Sequence, residues 1–360
     1  MPLKSPFESS IAKPGQGKVV LSLLSPSLPT LTTLTYKYPL KLVSRSPAFL
    51  PELSVLRDAS RPVHLHLLSY GGGLLPGDVI DVSIKLEPRT RLVVTTPQGS
   101  TKIYKTKHTS AGGGNSVPDK SKQILHVQIE SEAALCYLPD PSAPFRDSRY
   151  EQIQTFTINR GCRTPKDSKK HGEITDCEQR SSLCVLDWVT QGRSSLGENW
   201  DFHLWRGKNE VWTTDDTGKR KLLLRDSLIL DDESGTSESG ERGRRQTSLI
   251  RDRIHPHGIV GTLILYGPVF DNLCSFIMNR FTTQPRIGAR NWSSTVSPAA
   301  SCGNSNAEDI TWTAARVRGG FVIMKFGAKD FEAARKWLGA LFREEGSVAR
   351  EFGEEALLCL

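Results

Sequence analysis

Along much of the chain, hydrophobic and polar positions alternate with a period of two. In Val63-His64-Leu65-His66-Leu67 the apolar and histidine side chains fall on opposite faces of a predicted strand. The same alternation recurs over residues 80–86, 125–130 and 200–204. Longer apolar runs at 259–266 and 320–326 predict strands buried on both faces. Turn signals separate these segments: Pro76-Gly77-Asp78, Pro88, Asp215-Asp216-Thr217-Gly218 and Gly267-Pro268. Many short strands with turns between them predict a mostly-β architecture. One stretch breaks the rule. After Asp330, the residues Phe331, Ala334, Leu338, Leu341 and Phe342 repeat at helical spacing, with Asp330 placed to cap the first turn. The expected fold is therefore an elongated, mostly-β body carrying a C-terminal α-helix.

Four polar stretches interrupt the pattern, at 106–122, 161–182, 231–252 and 288–309. They are too poor in apolar residues to offset their own ordering entropy. Strands of the same style continue on either side, so they read as flexible surface insertions in one domain spanning residues 17–345. Residues 1–16 and 346–360 are expected to be flexible tails. The 360 residues are 37% hydrophobic and 24% charged, enough for a sizeable core. No run approaches the roughly 20 apolar residues of a membrane helix, and no secretory signal is visible. A net charge of +8 is spread along the chain, and its basic runs sit in polar stretches beside acids, which predicts solvated loops and no nucleic-acid partner. Seven scattered cysteines without a C-x-x-C pair predict reduced thiols and a cytoplasmic location.

Several catalytic signatures fail. Gly71-Gly72-Gly73 has no Gly-Lys-Ser/Thr behind it, and Gly192-Arg193-Ser194-Ser195-Leu196 ends in leucine where a nucleophile elbow needs glycine. There is no His-Glu-x-x-His. Cys162, His171, Cys177 and Cys184 match no standard zinc spacing, and scattered loop thiols are the preferred reading. His64 with His66, and His255 with His257, are the close histidine pairs. For the first, the polar outer face of a half-buried strand is preferred over a nickel or zinc site, and the second carries the same caution.

One constellation stands out. Gly71-Gly72-Gly73-Leu74-Leu75-Pro76-Gly77-Asp78 ends one strand and begins another, with glycines suited to a sharp reversal. Downstream lies Thr95-Thr96-Pro97-Gln98-Gly99-Ser100-Thr101-Lys102-Ile103-Tyr104. In order and spacing these two runs resemble the signature segments of the urease accessory protein UreD family, called UreH in some bacteria. The resemblance continues through Tyr38-Pro39-Leu40-Lys41, Leu138-Pro139-Asp140-Pro141 and Pro144-Phe145-Arg146-Asp147-Ser148-Arg149-Tyr150. It covers Leu186-Asp187-Trp188-Val189-Thr190-Gln191-Gly192-Arg193 and Gly197-Glu198, then Leu224-Arg225-Asp226, the 261–268 strand and the last helix. The four insertions lie outside it.

The resemblance implies a stacked, β-helix-like scaffold that is not an enzyme and holds no tightly bound cofactor. It implies a higher-order complex with UreF, recruitment of the GTPase UreG, docking on apo-urease, and transient nickel passing through an internal polar tunnel. A partly hydrated cation in such a tunnel needs oxygen ligands that bind weakly enough to release it. Asp187, Glu198, Asp78 and Asp140 are the candidate route acids, with Thr95, Thr96, Ser100 and Asp147 adding oxygen groups. Gly71, Gly72, Gly73, Gly77, Gly99, Ser100, Thr101, Lys102, Gly192 and Arg193 form the signature turns. A second reading stands beside the first: Asp187 or Glu198 pairs with Arg193 in a buried ion pair that fixes the turn. The alternative to the family reading is a non-enzymatic β-rich adaptor for another protein.

Overall fold

The period-two pattern is realised as strands that shuttle between two stacked sheets. The structure is a computed structural model describing residues 13–24, 28–45, 60–97, 101–105, 120–159, 180–214, 218–232, 249–284 and 310–360. β1 (Gln16–Leu24), β2 (Leu28–Tyr36) and β3 (Leu40–Arg45) open the chain. β4 (Val63–Ser69), β5 (Gly73–Leu74) and β6 (Val79–Leu86) then make a three-sided circuit. The circuit repeats as β7 (Arg91–Thr95), β8 (Thr101–Ile103) and β9 (Ser121–Ile129), and again as β10 (Ala134–Tyr137), β11 (Ser142–Pro144) and β12 (Arg149–Ile158). β13 (Ser182–Thr190) and β14 (Leu204–Thr214) begin a fourth.

Equivalent strands stack in parallel. β6, β9, β12 and β14 form the heart of the first sheet, while β4, β7, β10 and β13 form that of the second. The short β5, β8 and β11 stack along a third side. β15 (Arg220–Asp231) closes one edge of the first sheet as an antiparallel neighbour of β14. After α1 (Ile250–Ile254), β16 (Ile259–Tyr266) pairs antiparallel with β13. α2 (Asp271–Thr282) follows, and β17 (Ile310–Val317) and β18 (Phe321–Ala328) complete the second sheet in the order β17-β18-β16-β13-β10-β7-β4-β3. α3 (Phe331–Glu345) and α4 (Ser347–Phe352) end the chain.

Two apolar layers hold this together. Between the sheets, Leu65, Leu92, Leu135 and Val185 meet Val82, Leu125, Phe156 and Trp205. On the far side of the second sheet, Val93, Leu186, Trp188 and Met324 pack with Leu338, Phe342 and Phe352 of the helices. The second sheet is therefore covered on both faces, which explains the long apolar runs of β16 and β18, interrupted by Thr262 and Lys325. α3 starts where the cap predicts: the Asp330 carboxylate accepts from the Ala333 N–H at 2.8 Å. Among the described residues no helix is long and apolar enough to cross a membrane.

Several expectations need correcting. Residues 346–360 do not form a loose tail. Val348, Phe352, Leu357 and Leu360 are buried, Arg91 pairs with Glu351 at 2.8 Å, and the Phe352 ring stacks on Phe270. Gly346 and Gly353 divide this segment into pieces too short to show a helical period. His64 is buried rather than on a solvated face. Its Nε2 lies 2.8 Å from the Phe352 carbonyl, so the histidine anchors the C-terminal segment. The alternation at 200–204 is not a strand: β14 begins at Leu204, and Trp200 turns the chain with φ +59. α2 went unpredicted. β1 begins at Gln16, one residue before the expected domain start at 17. Residues 288–309 lie wholly outside the described residues and the other three polar stretches mostly so, but the ends of those three belong to β9, β13, β15 and α1.

Because Phe352 fills a site made by Phe270 and Arg91, Phe352→Ala is expected to cost about 3–5 kcal/mol of stability. Urea unfolding of the variant beside the parent checks this. A loss below 1 kcal/mol would show that the C-terminal segment is not part of the core.

Candidate functional site

The signature turns gather on the third side of the circuits. β5 and β8 run in parallel, and a Cβ on Gly73 would stand 2.6 Å from the Lys102 carbonyl, so this approach requires glycine. Gly71, Gly72 and Gly77 occupy the flanking turns, where the Asp78 carboxylate accepts from the Leu75 N–H at 2.8 Å. Asp78 is therefore a turn cap on the surface side. Thr101 and Lys102 lie in β8, and Gly99 and Ser100 lie outside the described residues.

Gly192 turns with φ +106, and a Cβ there would meet the Pro144 carbonyl at 2.9 Å and the Glu198 carboxylate at 3.0 Å. Glu198 is only 4% exposed and fixes the turn: it accepts from the Arg193 backbone N–H at 2.9 Å and from Arg193 Nε at 3.1 Å, and Nη2 also reaches it. Burial works to raise the Glu198 carboxyl, but the bonds from Arg193 outweigh it and hold the group below the usual carboxylate range. The Arg193 guanidinium lies 3.9 Å over the Phe145 ring. Lys102, Asp140, Arg193, Phe331, Arg335 and Leu358 surround a cleft of about 620 Å³. Lys102, Arg193 and Arg335 stand against Asp140 and the Glu198 that pairs with Arg193, which leaves the cleft net cationic by one charge. The Asp140 N–H is held by Thr96 Oγ1 at 2.7 Å.

Asp187 stands elsewhere. It projects from β13 into the layer between the sheets and is bonded across the gap, accepting from Gln152 Nε2 of β12 at 2.9 Å and from Asn209 Nδ2 of β14 at 2.7 Å. Burial pushes its carboxyl up to about 6. The Asn209 and Gln152 bonds oppose the shift, the charge on Asp226 adds to it, and Lys325 opposes it. The register lines up Gln154, Asn209 and Asp226 on β12, β14 and β15, facing Asp187, Thr262 and Lys325 on β13, β16 and β18. Tyr137 and Tyr150 close the inner end, with Tyr150 Oη donating to Gln152 Oε1 at 3.2 Å. Both amide atoms of Gln154 and the Asn209 Oδ1 are buried and find no partner among the described residues. This is a polar seam through an otherwise apolar layer.

The structure thus separates the four candidate acids. Glu198 and Asp140 belong to the signature cleft, Asp78 to a turn, and Asp187 alone to the interior seam. No group of three or more His, Cys, Asp or Glu among the described residues is arranged to hold a metal tightly. His66 Nδ1 lies 2.9 Å from Thr95 Oγ1, and the His257 carbonyl accepts from Trp200 Nε1. Cys184 is no loop thiol: it is buried in β13 opposite Cys136. Cys162, His171 and Cys177 lie outside the described residues. The seam residues Gln152, Gln154, Asn209 and Lys325 were missed. Their available signal is that Gln152 and Gln154 share the inward phase of β12 with Tyr150 and Phe156, where apolar residues are the rule.

The family model described as UreD urease accessory protein matches residues 15–164 and 173–357. The chain is 29% identical over 355 residues to urease accessory protein 4 of Cryptococcus neoformans, covering 94% of this chain and 93% of that protein. It is 30% identical over 320 residues to a UreD-like urease accessory protein of Schizosaccharomyces pombe, covering 88% and 90%. With urease accessory protein D of Arabidopsis thaliana it is 30% identical over 251 residues, covering 70% and 67%.

Two outcomes are expected. Glu198→Gln should lower stability by about 1–3 kcal/mol, since it removes the charge from three hydrogen bonds; an unchanged urea midpoint would contradict the clamp. The Asp187 carboxyl rises from 3.8 to about 6 on folding, so the folded chain binds the extra proton between those values. The parent should therefore gain stability relative to Asp187→Asn as pH falls through that window. Unfolding curves of both proteins at several pH values read this difference, and a constant gap would contradict it.

Proposed function

The chain belongs to the UreD family of urease accessory proteins and acts in urease maturation. From that premise we propose that it is a non-catalytic scaffold that works in the cytoplasm with UreF and the GTPase UreG on apo-urease, and that nickel moves along the polar seam between its sheets. The observation that carries this reading is the seam itself. An interior carboxylate is held by two amides rather than by a matched cation, beside buried amide oxygens with no partner.

That arrangement suits a travelling divalent ion. A hydrated cation would pay heavily to enter an apolar layer, and oxygen donors spaced one strand apart, about 4.8 Å, offset that cost without trapping it. Carboxylate, amide and hydroxyl oxygens are weaker nickel ligands than clustered imidazole or thiolate, so release remains feasible. Asp187 supplies the charge, Gln152 and Asn209 orient it, and the unpartnered oxygens of Gln154 and Asn209 offer successive steps. Glu198 and Arg193 shape the signature turn. The cationic cleft beside them is unsuited to passing a cation and suits an anionic surface of a partner protein.

The test is reconstitution. Co-expressed with UreF, UreG and apo-urease, the chain should co-elute in a complex that activates urease with nickel, bicarbonate and GTP. Asp187→Asn should co-elute normally yet slow activation by about tenfold, the scale of losing one charged ligand. Full activation by Asp187→Asn would remove the seam from the route. Absence of any complex with the parent chain would remove the scaffold role.

A further inference from the structure

At the lateral edge where β15 lies over β18, the seam ends on a half-exposed ion pair. There Lys325 Nζ donates to Asp226 Oδ1 at 2.6 Å. We propose that Lys325 is a built-in counter-cation that closes this end, and that a divalent cation enters by displacing its ammonium from Asp226. This rests on the reading of the seam as a cation route.

The two partners are unequally placed. The Asp226 side chain is 11% exposed and faces inward on β15, whereas that of Lys325 is 49% exposed. Releasing the pair costs the lysine little, because its flexible stem returns the ammonium to water. It costs the aspartate much more, because a nearly buried carboxylate is left without a counter-charge. The acid therefore needs a cation at all times but does not need this one. Half-exposed ion pairs contribute little net stability, so the lysine can be displaced.

What lies behind the pair points to a ligand. Asn209 neighbours Asp226 in register, and Gln154 neighbours Asn209. Both are 1% exposed, and Asn209 Oδ1 and both amide atoms of Gln154 lack partners among the described residues. Opposite them Thr262 leads from Lys325 to Asp187. With lysine in place the row carries two carboxylates and one ammonium. Exchanging that ammonium for a divalent ion neutralises the row and supplies the unpartnered oxygens with a cation.

Equilibrium dialysis of the purified full chain against nickel(II) alone tests this. Lys325→Met keeps the stem and removes the competitor, so nickel affinity should rise roughly tenfold, and adding Asp226→Asn should abolish the gain. Lys336→Met, on the exposed face of α3, should change nothing. Equal affinity in Lys325→Met and the parent would overturn the proposal. Should Lys325→Met fail to fold, Lys325→Arg decides: its fork grips Asp226 more firmly and should weaken nickel binding, and equal or tighter binding would overturn the proposal. Failure of the gate is distinguishable from failure of the route. Slow activation in Asp187→Asn with unchanged affinity in Lys325→Met removes the gate alone. Tighter binding in Lys325→Met with normal activation in Asp187→Asn keeps the outer cation site and removes the route.

Discussion

A carboxylate lies in the layer between the two sheets, and what that charge requires governs the positions around it. Removing an ionised carboxyl from water costs several kcal/mol unless fixed dipoles or a cation replace the lost hydration. At Asp187 the replacement comes from Gln152 and Asn209 on the opposite sheet, while Lys325 is engaged by Asp226. Asp187 thus joins the sheets by hydrogen bonds, as the Lys325–Asp226 pair does at the edge; elsewhere apolar contact does the same work. Its neighbours must be polar, and they line a seam.

The covering of the second sheet gives the seam its direction. α3 and α4 close the far face of β13, with Trp188 and Leu186 turned toward them. Asp187 therefore reaches solvent along the layer between the sheets, not through a sheet. The C-terminal segment holds that covering in place through Arg91, His64 and Phe352.

Much of the fold was legible because strand faces write themselves into a period of two. β6, β9, β16 and α3 follow directly from alternation, apolar runs and the Asp330 cap. The signature turns were legible as glycines that tolerate close backbone approach, as Gly73 and Gly192 show. What escaped was set by long-range packing. His64 alternates like an outward residue, yet a helix 288 positions later buries it. The short α4 between two glycines has no period to read. The seam is the clearest case: Asp187, Asn209 and Asp226 lie on three consecutive strands, and only the register within and between the two sheets brings them into one row. Of the four acids singled out from sequence, Asp187 alone entered that row, because spacing along the chain carries no record of which sheet a side chain will face.

The central claim is that nickel is handled by oxygen donors in this seam. Nickel K-edge X-ray absorption on the purified complex, loaded with less than one nickel per chain, tests it most directly. The account predicts a six-coordinate spectrum of oxygen-type ligands that changes in Asp187→Asn. Imidazole or sulfur ligation at this chain, insensitive to Asp187, would contradict it.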